Sequence, residues 1–430
     1  MLRRVDLRDE QADASAVLPA AATGTGPDPA LETVRAIITD VRDRGDEALR
    51  DITAHFDGVQ LDAIRVGPEA LEAAWVDAPA PLRTALEAAA GRIRAYHEAQ
   101  RDAAEEPTWG ADGIEVTEIV RPVGRAGLYV PGGRAAYPST VLMTAIPARV
   151  AGVPELALCV PPGADGLPPA STLAAAHLAG VDEVYRVGGA QAIAALAYGT
   201  ESVRAVDVIV GPGNKYVSLA KGEVSGDVGI DSMAGPSELV VVADATTPPE
   251  HVALDLMAQA EHGPDGTAVV ISWDAAVLDA VDAALGRLVA EAPRRSEIES
   301  NFAGGGVSVL VRDAGQAMAV SNLVAPEHLE LAVADPQVLL GRVENAGAVF
   351  CGPWAPAVVG DYIAGPNHVL PTGRSARFAS ALRVDTFRKH IHVVSMDRRA
   401  LEGVAPHIAA LTEVEGLASH GEAVARRVRS

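Results

Sequence analysis

Residues 183–215 read EVYRVGGAQAIAALAYGTESVRAVDVIVGPGNK. Two short runs rich in β-formers, EVYRV (183–187) and VDVIV (206–210), bracket an alanine-rich stretch from Gln191 to Tyr198 that has the composition of a helix. Strand, helix and strand at this spacing build a parallel sheet covered by helices. The turn Gly211-Pro212-Gly213-Asn214-Lys215 follows the second run, at a strand's carboxyl end with a helix behind it, where open α/β sheets bind ligands. It has neither the GxGxxG spacing of a dinucleotide fingerprint nor the Walker spacing of a P-loop, so the local pattern supports a ligand-binding strand end and nothing narrower.

The alternation continues in both directions. Upstream, RAGLYV (125–130) runs into the turn Pro131-Gly132-Gly133, a helix is expected around Ser139 to Val150 before ELALCV (155–160), and another around Ser171 to Ala179. Downstream, a second series reads ELVVVAD (238–244), helix 249–262, TAVVIS (267–272), helix 275–290, VSVLV (307–311), helix 313–323 and AVF (348–350). The expected class is α/β, with two tandem Rossmann-like parallel-sheet domains, a helical N-terminal segment and an extended C-terminal tail. The helical segment comprises residues 28–58, with Leu31, Val34, Ile37, Ile38, Val41 and Leu49 on one stripe, and a second helix over about 80–100. In the tail, HIHVVSM (390–396) precedes a helix-rich stretch from Arg399 to Arg429, too short to bury a core of its own. The expected division is an arm over 1–27, a discontinuous domain of 28–128 with 237–380, a second domain over 129–236, and a tail over 381–430.

With 430 residues, 49% of them apolar, the chain can bury a large core. A formal net charge of -22 repels phosphate backbones and anionic membrane surfaces, which disfavours nucleic acid and membranes as partners and leaves small molecules. The two cysteines, Cys159 and Cys351, are far apart and form no CxxC pair, so neither a disulfide framework nor a thiolate zinc site is indicated, and a reducing cytoplasm is the expected setting. The opening MLRRVDLRDE has no apolar core of a secretory signal.

Four segments carry residue types suited to chemistry. In Ala258-Gln259-Ala260-Glu261-His262-Gly263-Pro264, Gln259 and His262 are three apart at a helix end, where an amide and an imidazole can share a metal; a His bonded to the terminal carbonyls is the plainer reading. In Pro326-Glu327-His328-Leu329-Glu330, adjacent acid and imidazole suit a general-base pair, although a solvated helix start reads as well. The loop from Gly360 to Pro371 holds Asp361, Asn367 and His368, and the tail holds Glu415 and His420.

Taken in order, LYVPGG, PSTVLM, VGGAQAIAALAYGT, GPGNKYV, GPSELVV, AQAEHGPD, PEHLEL, GDY and NHVLPT resemble the successive signatures of the histidinol dehydrogenase family over nearly the whole chain. The resemblance implies oxidation of L-histidinol through the aldehyde to L-histidine with two NAD. It implies one zinc per subunit held by Gln259, His262, Asp361 and His420. Substrate contacts are implied for those four and for Ser237, His328, His368 and Glu415. Acid–base roles fall on Glu327 and His328, and NAD contacts on Tyr129, Gln191 and Asn214. It further implies a homodimer in which the tail completes the neighbour's site. The sequence departs from the commoner family pattern at Ala357, where an acidic residue usually follows the proline. A zinc hydrolase on a similar scaffold and a non-catalytic binding protein for histidine-like ligands are the rival readings.

Overall fold

The computed structural model describes residues 1–9, 17–18, 29–103, 107–132, 135–233 and 235–429; most of the expected arm and Gly133 of the 131–133 turn lie outside the described residues. In chain order the strands are β1 (Arg3–Asp6), β2 (Arg65–Val66), β3 (Thr108–Ala111), β4 (Ile114–Pro122), β5 (Arg125–Tyr129), β6 (Glu155–Cys159), β7 (Glu183–Tyr185) and β8 (Val208–Val210). They continue with β9 (Gly229–Ile230), β10 (Glu238–Ala243), β11 (Thr267–Ser272), β12 (Gly306–Leu310), β13 (His328–Ala332), β14 (Ala348–Cys351) and β15 (Arg388–Met396).

Sheet I runs β2-β7-β6-β5-β8-β9 and sheet II runs β1-β12-β11-β10-β13-β14. Numbering the five consecutive parallel strands of each by chain order gives 3-2-1-4-5 twice, the doubly wound order of a Rossmann half. The expected α/β class with two Rossmann-like units is therefore the observed one. The reason is visible in the central strands: every residue of β5, β10 and β11 is buried, because helices cover both faces and leave no solvated side to alternate. In each sheet an N-terminal strand adds an edge, β2 antiparallel on β7 and β1 parallel on β12.

The helical N-terminal segment does not pack where the sequence-based division puts it. Helices Pro29–Arg44 and Asp46–Phe56 place Val34, Ile38, Val41, Ala48 and Leu49 in one core with Ile193, Leu196 and Val217 on one face of sheet I. Helices Pro68–Asp77 and Ala80–Asp102 place Leu71, Leu86 and Ile93 with Val141, Leu142 and Leu173 on the other face. Residues 29–103 thus cover sheet I and not the sheet of residues 238–351, since an apolar stripe dictates burial without naming the surface that buries it. The helix expected over 28–58 is broken at Gly45, whose φ of 55° ends the first helix.

Two segments cross between the units. The run beyond β14 returns Val369, Leu382, Val384 and Phe387 to the core of sheet I. The segment after β9 leads directly into β10. β15 pairs antiparallel with β4, and β4 with β3, in a separate small sheet, from which helices Arg398–Val414 and Ala418–Arg429 extend with Ala400 as their one buried side chain. No described helix is long and apolar enough to cross a membrane.

The sequence-based reading has no strand at residues 328–332, yet β13 is central, paired with β10 on one side and β14 on the other. Leu329 is fully buried there. Leu329→Ala is expected to lower the stability of the folded chain by about 2–5 kcal/mol, read as a shift in the urea unfolding midpoint, whereas a solvated helix start at this position would leave it unchanged.

Candidate active site

His328 opens β13 and its imidazole is buried. Its Nδ1 lies 3.2 Å from the Glu238 carbonyl oxygen; a carbonyl only accepts, so Nδ1 carries a proton and donates it. That commitment leaves Nε2 as the atom free to exchange a proton. Nε2 has no hydrogen-bond partner and faces the Asp361 carboxylate at 3.5 Å. On the opposite side of the ring, a Glu327 carboxylate oxygen lies 3.5 Å from Nδ1. The same Glu327 oxygen accepts from the Glu238 backbone N–H at 3.0 Å. One peptide segment at the start of β10 therefore grips both members of the pair, Glu327 through its N–H and His328 through its carbonyl.

Asp361 is delivered by the short helix Ala357–Tyr362, which lies tight on β14. A Cβ at Gly360 would come within 2.7 Å of the Phe350 ring, so glycine is what allows the approach. Phe350 in turn stacks near His328, with ring centroids 6.0 Å apart. The Ala357 N–H at the helix start donates to the Glu330 carboxylate at 2.6 Å, so this departure from the family pattern sits on a peptide group that β13 holds.

His368 lies on the loop beyond. Its Nδ1 donates to the Asp361 carbonyl at 2.9 Å, and its Nε2 faces the Thr140 hydroxyl at 3.2 Å. Thr140 belongs to helix Pro138–Ala151, at the carboxyl edge of sheet I, and the Asn367 amide donates to Met143 of the same helix at 2.6 Å. The amino edge of sheet II, where Ser237, Glu238, Glu327 and His328 stand, thus meets the carboxyl edge of sheet I.

The electrostatics follow from burial and like charge. Burial alone would lower the basicity of His328, but Glu327 and Asp361 outweigh it and raise its pKa well above the ordinary value. Burial lowers that of His368. Burial works to raise Asp361, yet His328, His368 and His262 hold its carboxyl below the usual range. Burial and the neighbouring Glu327 push Glu238 up to about 8, and burial with the neighbouring Asp255 pushes Glu330 up to about 8.

Helix Pro249–Ala260 ends before His262, whose Nδ1 faces the Gln259 carbonyl at 3.2 Å, the plainer arrangement for a His at a helix end. The buried Gln259 amide nitrogen has no hydrogen-bond partner. Glu415 and His420 are exposed on the tail and do not join this cluster within one chain. Among the described residues, no group of three His, Cys, Asp or Glu side chains forms a metal-type cluster. Sequence reasoning also passed over Glu238 and Thr140, although both lie inside quoted motifs, GPSELVV and PSTVLM. Their partners are distant in the chain, which no local pattern reveals.

Tyr129, Gln191 and Asn214 come from the carboxyl ends of β5, β7 and β8, at the point where the strand order of sheet I reverses. Tyr129 is buried, and its hydroxyl accepts from the Gly189 N–H at 3.0 Å. Asn214 caps helix Lys215–Val224, its side-chain oxygen accepting from Tyr216 and Val217 at 3.0 and 3.1 Å, which leaves its amide NH2 to other partners. The N-termini of two helices, Gly189–Tyr198 and Lys215–Val224, open on this edge and favour negative charge there.

A family model described as histidinol dehydrogenase matches residues 23–428. The chain belongs to the histidinol dehydrogenase family. Histidinol dehydrogenase from Parasynechococcus marenigrum (strain WH8102) is 51% identical over 397 residues, covering 92% of this chain and 90% of the relative. Histidinol dehydrogenase from Syntrophotalea carbinolica is 45% identical over the full length of both. The crystal structure of histidinol dehydrogenase from Elizabethkingia anophelis superposes with a TM-score of 0.93 at 32% identity, covering 100% of this chain and 98% of that one. As a member of this family the protein is an oxidoreductase.

His328 binds its proton more tightly folded than unfolded. Its contribution to stability is complete below the ordinary imidazole value of about 6.5 and is lost as pH rises through the raised folded value. In chelator-treated protein, the difference in unfolding midpoint between wild type and His328→Gln is expected to shrink as pH rises from about 6 to about 9. A difference independent of pH would show that the His328 proton is not held in this way.

Proposed function

We propose that this chain oxidises L-histidinol through L-histidinaldehyde to L-histidine, with two NAD reduced per turnover. The observation that carries the reading is the buried Glu327–His328 pair, seated beside Asp361 where the amino edge of sheet II meets the ligand-binding edge of sheet I in a member of the histidinol dehydrogenase family. The uncharged form of His328 takes the alcohol proton on Nε2, since Nδ1 is committed to the Glu238 carbonyl; Glu327 and Asp361 favour the imidazolium, so turnover is expected to rise with pH as that charge is lost. Asp361 faces that nitrogen and stabilises the imidazolium as it forms. In the second oxidation Glu327 takes a proton from the water that adds to the aldehyde, while the Glu238 N–H keeps its carboxylate aimed. No cysteine nucleophile is called for: Cys159 is buried and its thiol is held unionised by that burial. NAD, where bound, accepts the hydride, and zinc, where bound, orients the substrate nitrogens.

Gln259, His262 and Asp361 would share a zinc site, Gln259 through its amide oxygen; the support is that His262 stands close enough to act on the Asp361 carboxylate. His420 would come from a second copy, along with Glu415. The tail supports a homodimer: Leu411 and Val414 are exposed on its first helix, Leu417 in the turn between its two helices, and Ile391, Val394 and Met396 on β15. Tyr129, Gln191 and Asn214 would line the NAD edge, and Ser237 and His368 the substrate pocket. The net charge of -22, with no described membrane-crossing helix, agrees with a cytoplasmic enzyme that acts on small molecules.

Purified protein given histidinol and NAD is expected to form two NADH per histidine, and chelation is expected to abolish turnover until zinc is restored. Amide or ester cleavage without NADH would overturn the reading in favour of a hydrolase, and binding without turnover in favour of a binding protein. The shared site has its own test, in which His262→Asn and His420→Asn, each inactive, are unfolded and refolded together. Random pairing makes half the dimers mixed, each with one intact site, so about a quarter of wild-type activity is expected. No recovery would mean that the tail serves its own subunit.

A further inference from the structure

The chain contains three lysines, Lys215, Lys221 and Lys389, and only Lys221 is buried, with 1% of its surface exposed. It lies in helix Lys215–Val224, two turns behind Asn214, and ion-pairs with the buried carboxylate of Asp231. Its ammonium also donates to the Gly211 carbonyl at 3.0 Å. The other Asp231 oxygen accepts from the Gly211 N–H at 2.8 Å. Gly211 is thus bracketed by one ion pair, its N–H on the anion and its carbonyl on the cation. Its φ of 120° belongs to glycine, and a Cβ there would run into the Tyr129 carbonyl. Asp231 further accepts from the Ser232 N–H at 2.6 Å, at the start of the segment that leads to Ser237 and Glu238. A fully desolvated ion pair is an expensive way to fill a core that apolar side chains would fill as well. Here each charge is spent on a backbone group of one turn.

We propose that Lys221 and Asp231 are a positioning pair for the nucleotide half of the site: together they set the 211–214 turn so that its peptide groups and the Asn214 amide meet the dinucleotide. They also tie that turn to the segment entering the acid–base centre. The proposal rests on the reading that NAD binds at the carboxyl edge of sheet I.

The test measures the Kd for NAD by calorimetry, the KM for NAD and for histidinol, and the Tm of zinc-loaded full-length protein in a small set of variants. Lys221→Met and Asp231→Asn are expected to raise the Kd and KM for NAD about tenfold or more, with the KM for histidinol little changed. Arg125→Met breaks another buried ion pair, to Glu183, at the opposite edge of the same sheet. It is expected to lower the Tm without weakening NAD. Asn214→Asp keeps the helix cap, removes the amide donor, and reports whether NAD meets this turn at all. If Asn214→Asp weakens NAD and the Lys221 and Asp231 variants do not, the pair has no positioning role. If none of the three weakens it, the nucleotide reading itself falls. Equal weakening by Arg125→Met would mean general loosening of the sheet, and would also overturn the proposal. Should Lys221→Met and Asp231→Asn fail to fold, Lys221→Gln, which keeps a donor for the Gly211 carbonyl, decides on the same readings, with a smaller rise expected.

Discussion

An imidazole buried between two carboxylates is the arrangement that the rest of the site has to accommodate. Burial strips water from Glu327 and His328 and leaves Asp361 half-buried, so each charge must be answered by a neighbour. The strand next door provides the answer on one side, because the start of β10 presents an N–H to Glu327 and a carbonyl to His328. A short helix provides it on the other, bringing Asp361 to the free ring nitrogen. Neither partner would be in reach unless β13 ran between β10 and β14. The Glu327–His328 geometry is thus as precise as the strand pairing that carries it, and rigid elements hold such geometry better than loops do.

The second organising feature is that the two sheets, wound alike, meet by unlike edges. Ligands are expected beyond the carboxyl ends of the strands in a doubly wound sheet, and sheet I presents glycine turns and two helix N-termini at that edge. Sheet II differs: the buried Glu327–His328 pair and Glu238 stand at the amino ends of β13 and β10. Helix Pro138–Ala151 and the loop with Asn367 and His368 hold the two edges together through Thr140 and Met143. One sheet can then present a cofactor while the other presents the proton-handling groups, and neither needs both.

Acidic groups crowd this junction. Glu238 and Glu330 are both pushed up to about 8, since each is buried and each has a second carboxyl beside it. Such a setting favours any positive charge placed in it, whether an imidazolium or a bound cation. The raised pKa of His328 follows from that setting.

How much of this could be read from the chain varies with the range of the interaction. The strands and helices of both α/β units were legible, because buried parallel strands are continuous apolar runs and Gly or Pro marks their ends. The segment HLELA was not, since its alternation of polar and apolar residues after a proline imitates an exposed start, while Glu330 and His328 are in fact buried polar groups with partners. The stripes of helices 29–44 and 80–102 foretold burial but not against which sheet. The residue types suited to acid–base and metal chemistry, and the family signatures that order them, were settled by the sequence alone. That Glu238 grips the pair, that Lys221 and Asp231 bracket Gly211, and that Thr140 reaches His368 across two sheets were decided only by the tertiary structure. Each of these contacts joins elements whose approach depends on the packing of the whole, which no local spacing encodes.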